Sequence, residues 1–195
     1  GQKTWLYIAT DDAGQDEFFI RRSDTIGGIS SAADNRILGP GLSGNSVNAQ
    51  LWAPELHVID GDLYIMFAAN AESANWWAGV QAYTMRLKPG GDPLTRADWE
   101  APQRVVDQAG QPLTTYGQGI TLDMTHFEDG GTDYVMWSER VVAPSTGPAV
   151  LKIAKVTTKA SGSWQLASER STVAFPDKGW STNTTPVVEG PFVIQ

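Results

Sequence analysis

Residues 57–67 read HVIDGDLYIMF, and residues 126–137 read HFEDGGTDYVMW. Each segment has an apolar run, an Asp-Gly turn and a second run rich in aromatic and β-branched residues, which is the pattern of a β-hairpin. His57 and His126 lie 69 residues apart, and Tyr64 and Tyr134 lie 70 apart, which indicates two copies with one inserted residue. Repeats of this length are typical of four-stranded propeller blades, whereas a β-sandwich would explain the strands without the repeat.

Short β-rich runs separated by turn residues continue along the rest of the chain. A fainter copy of the repeat, WLYIA at residues 5–9, precedes the first hairpin. No segment sustains the apolar spacing of a long amphipathic helix, and at most one helical turn fits near residues 95–98. The class is therefore all-β, with strands predicted at residues 5–10, 18–20, 51–59, 63–69, 80–87, 119–127, 134–138, 150–156 and 187–194.

The repeat also predicts how much of a propeller the chain holds. Gly1 lies near the hairpin position of the first repeat, so we expect the strand before it to be missing. Residues 187–194 are expected to form the first strand of a fourth blade. Residues 1–195 are thus predicted to be a partial propeller domain of about three blades and one further strand. Exposed sheet edges would need cover, so we expect further polypeptide of the same protein to complete the ring.

Composition excludes several classes of function. The formal net charge of −8 argues against nucleic acid and anionic membrane surfaces as partners. The chain has no cysteine, which excludes disulfides, thiolate metal sites and a cysteine nucleophile. No apolar run approaches the roughly 18 residues of a membrane span. No signal peptide is visible, so the sequence does not show the compartment directly.

Glu189 is the first candidate for a catalytic group. It interrupts the apolar run VVEGPFVI at residues 187–194 and is followed directly by a Gly-Pro step. An acid placed between β-branched neighbours is partly desolvated, and desolvation raises the pKa of a carboxyl group, as a general acid near neutral pH requires. The alternative is a glutamate that faces solvent at the end of a strand.

Seven segments in order over nearly the whole chain resemble glycoside hydrolase family 43, the five-bladed propeller glycosidases. Within this family the chain looks most like the exo-acting α-L-arabinofuranosidases. The segments are FIRRSDTI at 19–26, LWAPELH at 51–57, IDGDLYIMFAA at 59–69, DPLT at 92–95, LDMTHF at 122–127, LKIAK at 151–155 and EGP at 189–191.

The resemblance implies the roles of two carboxylates. It places the general acid at Glu189, and at Asp123 the residue that tunes the pKa of the acid and orients the sugar. These residues lie 66 apart, about one blade repeat, so equivalent strands of adjacent blades would bring both to the central cavity. The family's general base belongs to an Asp-Pro before the first residue of this chain. Asp11 and Asp12 follow a strand instead of preceding one, so neither is assigned as the base.

The resemblance also suggests residues that contact the substrate. Trp52 is expected to pack its ring against a sugar, with a core position as the alternative. Ala69 and Asn70 end the next predicted strand and are candidates for the same pocket, as are Trp137 and Ser138 in the third blade. Trp76 and Trp77 could form an outer subsite or cap a blade.

No cofactor or metal is predicted for this chain. His57 and His126 recur in the two hairpins, which favours a structural role for both over metal binding. Family members often hold a cation near the propeller axis through a later blade, so a structural cation is possible in the complete propeller.

The implied function is an inverting glycoside hydrolase that releases terminal α-L-arabinofuranosyl units from arabinan or arabino-oligosaccharides. A β-xylosidase, an endo-arabinanase and a non-catalytic sugar-binding propeller remain alternatives. Val188 departs from the family, which often has Asn before the Glu-Gly-Pro, and this change affects a polar contact beside the acid. By family implication, the expected location is extracellular or periplasmic.

Overall fold

The computed structural model describes residues 3–44, 46–47, 49–71, 77–159, 161–182 and 185–194. Within these ranges, twelve strands form three antiparallel sheets. The first sheet has the order β1-β2-β3, with strands Trp5–Thr10, Phe18–Ser23 and Asn35–Leu38. None of the helices in the described ranges has the length and apolar character needed to cross a membrane.

The second and third sheets each start from a long hairpin. The second has the order β4-β5-β6-β7, with strands Ala49–Ile59, Asp62–Asn70, Val80–Arg86 and Gln103–Arg104. In the third, β8, β9 and β10 are Gly119–Asp129, Thr132–Val141 and Ala149–Thr157; the short strands β11 and β12, Gln165–Leu166 and Ser171–Ala174, both pair with β10. Short 3-10 helices lie at Gly27–Ser31, Trp77–Gly79 and Arg96–Asp98.

The all-β class is confirmed, and so are the eight strands predicted between residues 5 and 156. The helical turn expected near residues 95–98 is also present, at Arg96–Asp98. The short strands β3, β7, β11 and β12 were not predicted from the sequence. They have two to four residues each, which is too short for an alternating pattern to stand out.

The strand predicted at residues 187–194 is wrong. Only Val187 makes a β-bridge, parallel to Ala149, and residues 188–194 are irregular. Gly190 adopts a φ of +63°, and Pro191 has no N–H to donate to a ladder. Among the described residues no other strand pairs with this segment, and a strand needs such a partner to satisfy its backbone groups.

The two long hairpins turn through equivalent pairs of residues with positive φ. Asp60 and Gly61 have φ values of +52° and +84°, and Gly130 and Gly131 have +57° and +74°. A two-residue type I′ turn requires positive φ at both central positions, and Gly-Gly meets this requirement more readily than Asp-Gly. The second turn therefore uses Gly130-Gly131. The comparison of the two hairpin segments had instead matched Asp129-Gly130 to Asp60-Gly61.

This choice of turn corrects the predicted repeat. Tyr64 pairs with His57 in the first hairpin, whereas Tyr134 pairs with Phe127 in the second. The offset is 70 residues on both strands of the hairpin, with no inserted residue. His57 and His126 are therefore not equivalent positions, although their rings meet edge to face with centroids 6.2 Å apart.

The core lies between the sheets. Buried residues of the first and second sheets pack together around Phe18, Ile65 and Phe67. A separate cluster joins the second and third sheets around Met66, Trp137 and Trp164. One face of β5 packs against the first sheet and the other against the third, so β5 has seven consecutive buried residues instead of an alternating pattern.

Candidate active site

The segment that carries Glu189 is held against the third sheet by the residue before the acid. Val188 donates its N–H to the carbonyl oxygen of Ala149 at 3.1 Å. The hydroxyl of Ser138, a buried residue of β9, donates to the carbonyl oxygen of Val188 at 3.2 Å. Glu189 therefore has a fixed backbone position without belonging to a strand.

Asp123 holds the residue on the other side of the acid. Its Oδ2 accepts a hydrogen bond from the N–H of Gly190 at 3.1 Å. Asp123 lies in an irregular part of β8, between Leu122 and Thr125, and has a φ of +52°. Positive φ is uncommon for residues other than glycine, although Asp tolerates it, and such conformations concentrate at functional sites.

The second sheet repeats this irregularity. Ala53 in β4 has a φ of +45° and lies between Trp52 and Glu55, where the register of the β4–β5 pair shifts. Ala53 precedes Asp123 by the 70-residue offset of the hairpins. The same backbone irregularity therefore turns one residue of β4 and one residue of β8 out of the regular ladder. In β8 that residue is a carboxylate.

The carboxyl pKa values of both Glu189 and Asp123 lie above the ordinary range. Desolvation is the largest cause for each. The pKa of Glu189 is raised further by the charge of Asp123 and lowered by Arg140. For Asp123, the N–H of Gly190 lowers the pKa by stabilising the charged form, and the carboxylate of Glu55 raises it.

These carboxyl groups are nonetheless accessible. Glu189 is solvent exposed and Asp123 is half-buried. A side chain can be both desolvated and exposed where protein atoms surround most of it and water reaches the rest, as in an open cleft. A substrate can reach such a group, and the neutral form that a general acid needs is favoured there.

A separate depression lies at the hairpin end of the second and third sheets. Its volume is about 460 Å³, and it contains neither Asp123 nor Glu189. Its lining includes both histidines, several acidic residues and the apolar pair Phe192 and Val193. Since it lacks the two carboxylates with raised pKa values, we place the site at the Asp123–Gly190 contact and not in this depression.

Comparison with known proteins assigns the chain to a family. The sequence model of Glycosyl hydrolases family 43 matches residues 1–195. The chain belongs to glycosyl hydrolase family 43. The resemblance stated from the seven segments is thereby confirmed.

Curated relatives within family 43 carry arabinofuranosidase names. The chain is 29% identical over 191 residues to an extracellular exo-α-(1→5)-L-arabinofuranosidase of Streptomyces avermitilis, covering 98% of this chain and 36% of the relative. It is 30% identical over 191 residues to α-L-arabinofuranosidase 43 of Humicola insolens, again covering 98% of this chain and 36% of the relative. The chain thus spans about a third of the length of these relatives.

Solved structures of family 43 agree with the fold. An α-L-arabinofuranosidase from Lactobacillus brevis matches with a TM-score of 0.77 and 26% identity, covering 98% of this chain and 56% of that chain. A thermostable family-43 glycoside hydrolase matches with a TM-score of 0.66 over 100% of this chain and 57% of that chain. Its identity of 16% supports the likeness in fold only.

The substrate-contact residues predicted from the sequence fall into two groups. Trp52 is half-buried, and its Nε1 donates to Gln15 Oε1 at 2.7 Å, so part of its ring remains open beside Ala53. Ala69 and Asn70 are buried at 0% and 1% exposure, and Trp137 is buried at 0%.

The structure contradicts a sugar contact for the buried group. Ala69 belongs to the core between the first and second sheets. Trp137 belongs to the core between the second and third sheets, where its Nε1 donates to Glu139 Oε2 at 3.1 Å. A fully buried side chain offers no face to a sugar, so only Trp52 of this set lies open near the site.

Trp77 is half-buried and packs, with Trp52, against a small cluster that includes Ile120 and Leu122. It therefore lies close to Asp123, the residue after Leu122. Trp76, its predicted partner, falls outside the described residues.

Two residues near the carboxylates, Glu55 and Arg140, were not assigned a role from the sequence, and a third, Ser138, was assigned a different one. Glu55 was quoted only as part of a motif; its charge acts on Asp123, and its Oε2 lies 2.6 Å from His57 Nε2. Arg140 acts on Glu189, and Ser138 was considered only as a pocket residue. The sequence signal for Ser138 was its place at the end of the strand predicted at residues 134–138.

The two histidines have carboxylate partners of their own. His126 Nε2 lies 2.8 Å from Asp133 Oδ1, and burial is the largest cause of a pKa for His126 below its ordinary value. Among the residues that the structure describes, no group of three or more His, Asp or Glu side chains could hold a metal ion. The cation of the complete propeller stays a prediction, and so does its assignment to another blade.

The two acidic residues after β1 have the role of turn residues. Asp11 accepts hydrogen bonds from the N–H groups of Ala13 and Gly14 at 3.2 and 2.7 Å. A carboxylate that closes a turn in this way is engaged by the backbone. The exclusion of Asp11 and Asp12 from the catalytic set stays a prediction.

Proposed function

We propose that the protein containing this chain is an inverting glycosidase that releases terminal α-L-arabinofuranosyl units from arabinan or arabino-oligosaccharides. Glu189 is the general acid, and Asp123 orients the sugar and raises the pKa of the acid. The observation that carries the proposal is the hydrogen bond from Gly190 N–H to Asp123 Oδ2, which fixes the acid beside a second carboxylate.

The names of the relatives support this substrate. Two of the relatives are named exo-acting and extracellular, from Streptomyces avermitilis and Streptomyces chartreusis. The chain covers 36% of the first and 52% of the second, so activity, substrate and an extracellular location are proposed for the whole protein. The three sheets are proposed as three blades of a five-bladed propeller that further polypeptide completes.

The proposed reaction uses the carboxyl groups of Glu189 and Asp123 and a third group, the general base. Glu189, whose pKa is raised by desolvation and by the charge of Asp123, donates its proton to the leaving oxygen of the glycosidic bond. Inversion requires a base on the opposite face of the sugar to activate water, with carboxyl groups roughly 6.5–9.5 Å apart. That base is proposed to come from polypeptide outside this chain.

The test uses the full-length protein and α-1,5-linked arabinotriose. We expect arabinose to be released from one end, with β-L-arabinofuranose as the first product seen by proton NMR before mutarotation. Retained α configuration would contradict the inverting mechanism. Release of xylose from a β-D-xyloside at a higher kcat/KM would contradict the substrate, and binding of arabinotriose without turnover would favour a sugar-binding propeller.

A further inference from the structure

Trp180 is the most exposed large hydrophobic residue among the described residues before the terminal segment, with 79% of its surface accessible. Tryptophan is usually largely buried, because its ring is the largest apolar side chain. The family-43 site as described above gives Trp180 no role.

The turn that carries Trp180 is tightly built. The buried Ser181 accepts a hydrogen bond from Lys178 N–H through its hydroxyl oxygen at 3.1 Å. The same hydroxyl and the N–H of Ser181 both lie within 3.0 Å of the carbonyl oxygen of Lys178. The turn therefore fixes the backbone on both sides of Trp180 while its indole faces water.

This turn is joined to the segment that carries the acid. The carbonyl oxygen of Ser181 accepts a hydrogen bond from Val187 N–H at 3.1 Å. Since consecutive Cα atoms are 3.8 Å apart, this bond keeps the Cα atoms of Trp180 and Glu189 within about 17 Å of one another. A short oligosaccharide can bridge such a distance.

Strand direction places Trp180 at the same end of the third sheet as the catalytic carboxylates. The β8–β9 hairpin closes one end at Gly130-Gly131, and Asp123 lies nearer the opposite end, four residues after the start of β8. Val187 bridges Ala149, the first residue of β10, at that opposite end. The turn that carries Trp180 therefore lies at this end of the third sheet. Glu189 lies two residues after Val187, in the direction of the hairpin end.

We propose that Trp180 is the platform of an aglycone subsite, which stacks the sugar on the leaving-group side of the scissile bond. This inference rests on the proposed function and adds a determinant of specificity to it. A sugar presents an apolar face of C–H groups, and the neighbouring ion pair of Lys178 and Asp177, 3.3 Å apart, supplies polar partners for its hydroxyls.

The test compares two substrates of the full-length protein that differ only on the leaving-group side. α-L-Arabinofuranosyl fluoride has no sugar to stack, whereas α-1,5-arabinobiose has one. In Trp180→Ala we expect kcat/KM for arabinobiose to fall about three- to tenfold, the size of one aromatic contact, with the fluoride unchanged. Trp180→Phe keeps a ring and should keep most of the selectivity.

Trp5→Ala is the matched control, because Trp5 is also exposed, at 42%, but lies in the first sheet. Equal losses on both substrates in Trp180→Ala, unchanged selectivity, or the same selective loss in Trp5→Ala would overturn the inference. A wild-type protein that turns over neither substrate contradicts the proposed function instead. Calorimetry then decides on Trp180: weaker arabinobiose binding in Trp180→Ala supports the subsite, and equal or absent binding overturns it.

Discussion

Asp123 Oδ2 lies 3.1 Å from the backbone nitrogen of Gly190 and accepts its hydrogen bond. This one contact ties β8 to the residue that follows the proposed acid. It also brings the charge of Asp123 close enough to raise the pKa of Glu189. Position and proton affinity of the acid therefore depend on the same side chain.

The Asp123→Asn variant separates charge from position. An amide oxygen can still accept from Gly190, but the negative charge that raises the pKa of Glu189 is gone. We expect the alkaline limb of the kcat/KM profile to move to lower pH and kcat to fall about 10²-fold. The measurement is a pH–rate profile of the full-length protein, with Asp123→Ala as the variant that loses the contact as well. An alkaline limb at the wild-type pH in Asp123→Asn would contradict this role.

Glu189→Gln should remove the proposed proton donor while it keeps a side chain of nearly the same volume. We expect a loss of about 10²- to 10⁴-fold in kcat on arabinobiose, because its sugar leaving group needs protonation. The loss on arabinofuranosyl fluoride should be much smaller, since fluoride leaves without a proton. Equal losses on the two substrates would show that Glu189 is not the general acid.

The same variant makes a prediction about stability. A carboxyl whose pKa is raised in the folded state contributes stability at low pH that is lost as pH rises through the folded pKa. Gln stays neutral, so Tm of Glu189→Gln should equal or exceed that of the wild type at neutral pH. This advantage should vanish below the ordinary glutamate pKa. Thermal unfolding at several pH values checks this, and a lower Tm at neutral pH would contradict it.

Gly190 is required for its backbone conformation. Its φ is +63°, and no atom lies within 4 Å of an added Cβ, so Gly190→Ala introduces strain of about 1 kcal/mol without a clash. Pro191 restricts the preceding residue further once a Cβ is present. We expect kcat to fall while Tm changes by only a few degrees, because relaxation to negative φ breaks the contact with Asp123.

Gly190→Asn is the matched variant, since Asn adopts positive φ more readily than Ala. It should retain more activity than Gly190→Ala. Equal activities in the two variants would show that the conformation of Gly190 is not what the reaction needs.

Trp137 and Trp52 should respond differently to replacement by Phe. Trp137→Phe shrinks a fully buried ring and leaves Glu139 without its indole partner, so the free energy of unfolding should fall by about 1–3 kcal/mol. Its KM should not change. Trp52→Phe, at the half-buried ring beside Ala53, should raise KM with a smaller loss of stability. Denaturant unfolding and steady-state kinetics check both, and a raised KM in Trp137→Phe would restore that residue to the substrate site.

Much of the fold followed from local sequence. The turn residues around Asp60-Gly61 and the apolar runs beside them set the hairpins, because turn dihedrals and the side-chain alternation of a strand depend on neighbouring residues. The apolar run at 187–194 failed as a strand for the opposite reason: pairing needs a partner from elsewhere in the fold.

For the site, the sequence by itself identified Glu189 from its apolar run, and the family resemblance added Asp123 and the roles of both. Only the tertiary structure decided that Asp123 reaches the backbone beside the acid, that Ser138 fixes Val188, and that Trp137 is core. The positive φ of Asp123 belongs to the irregularity in the β8–β9 pair, and the burial of Trp137 results from packing between the second and third sheets. Such packing joins residues far apart in the chain, and no local pattern of sequence records it.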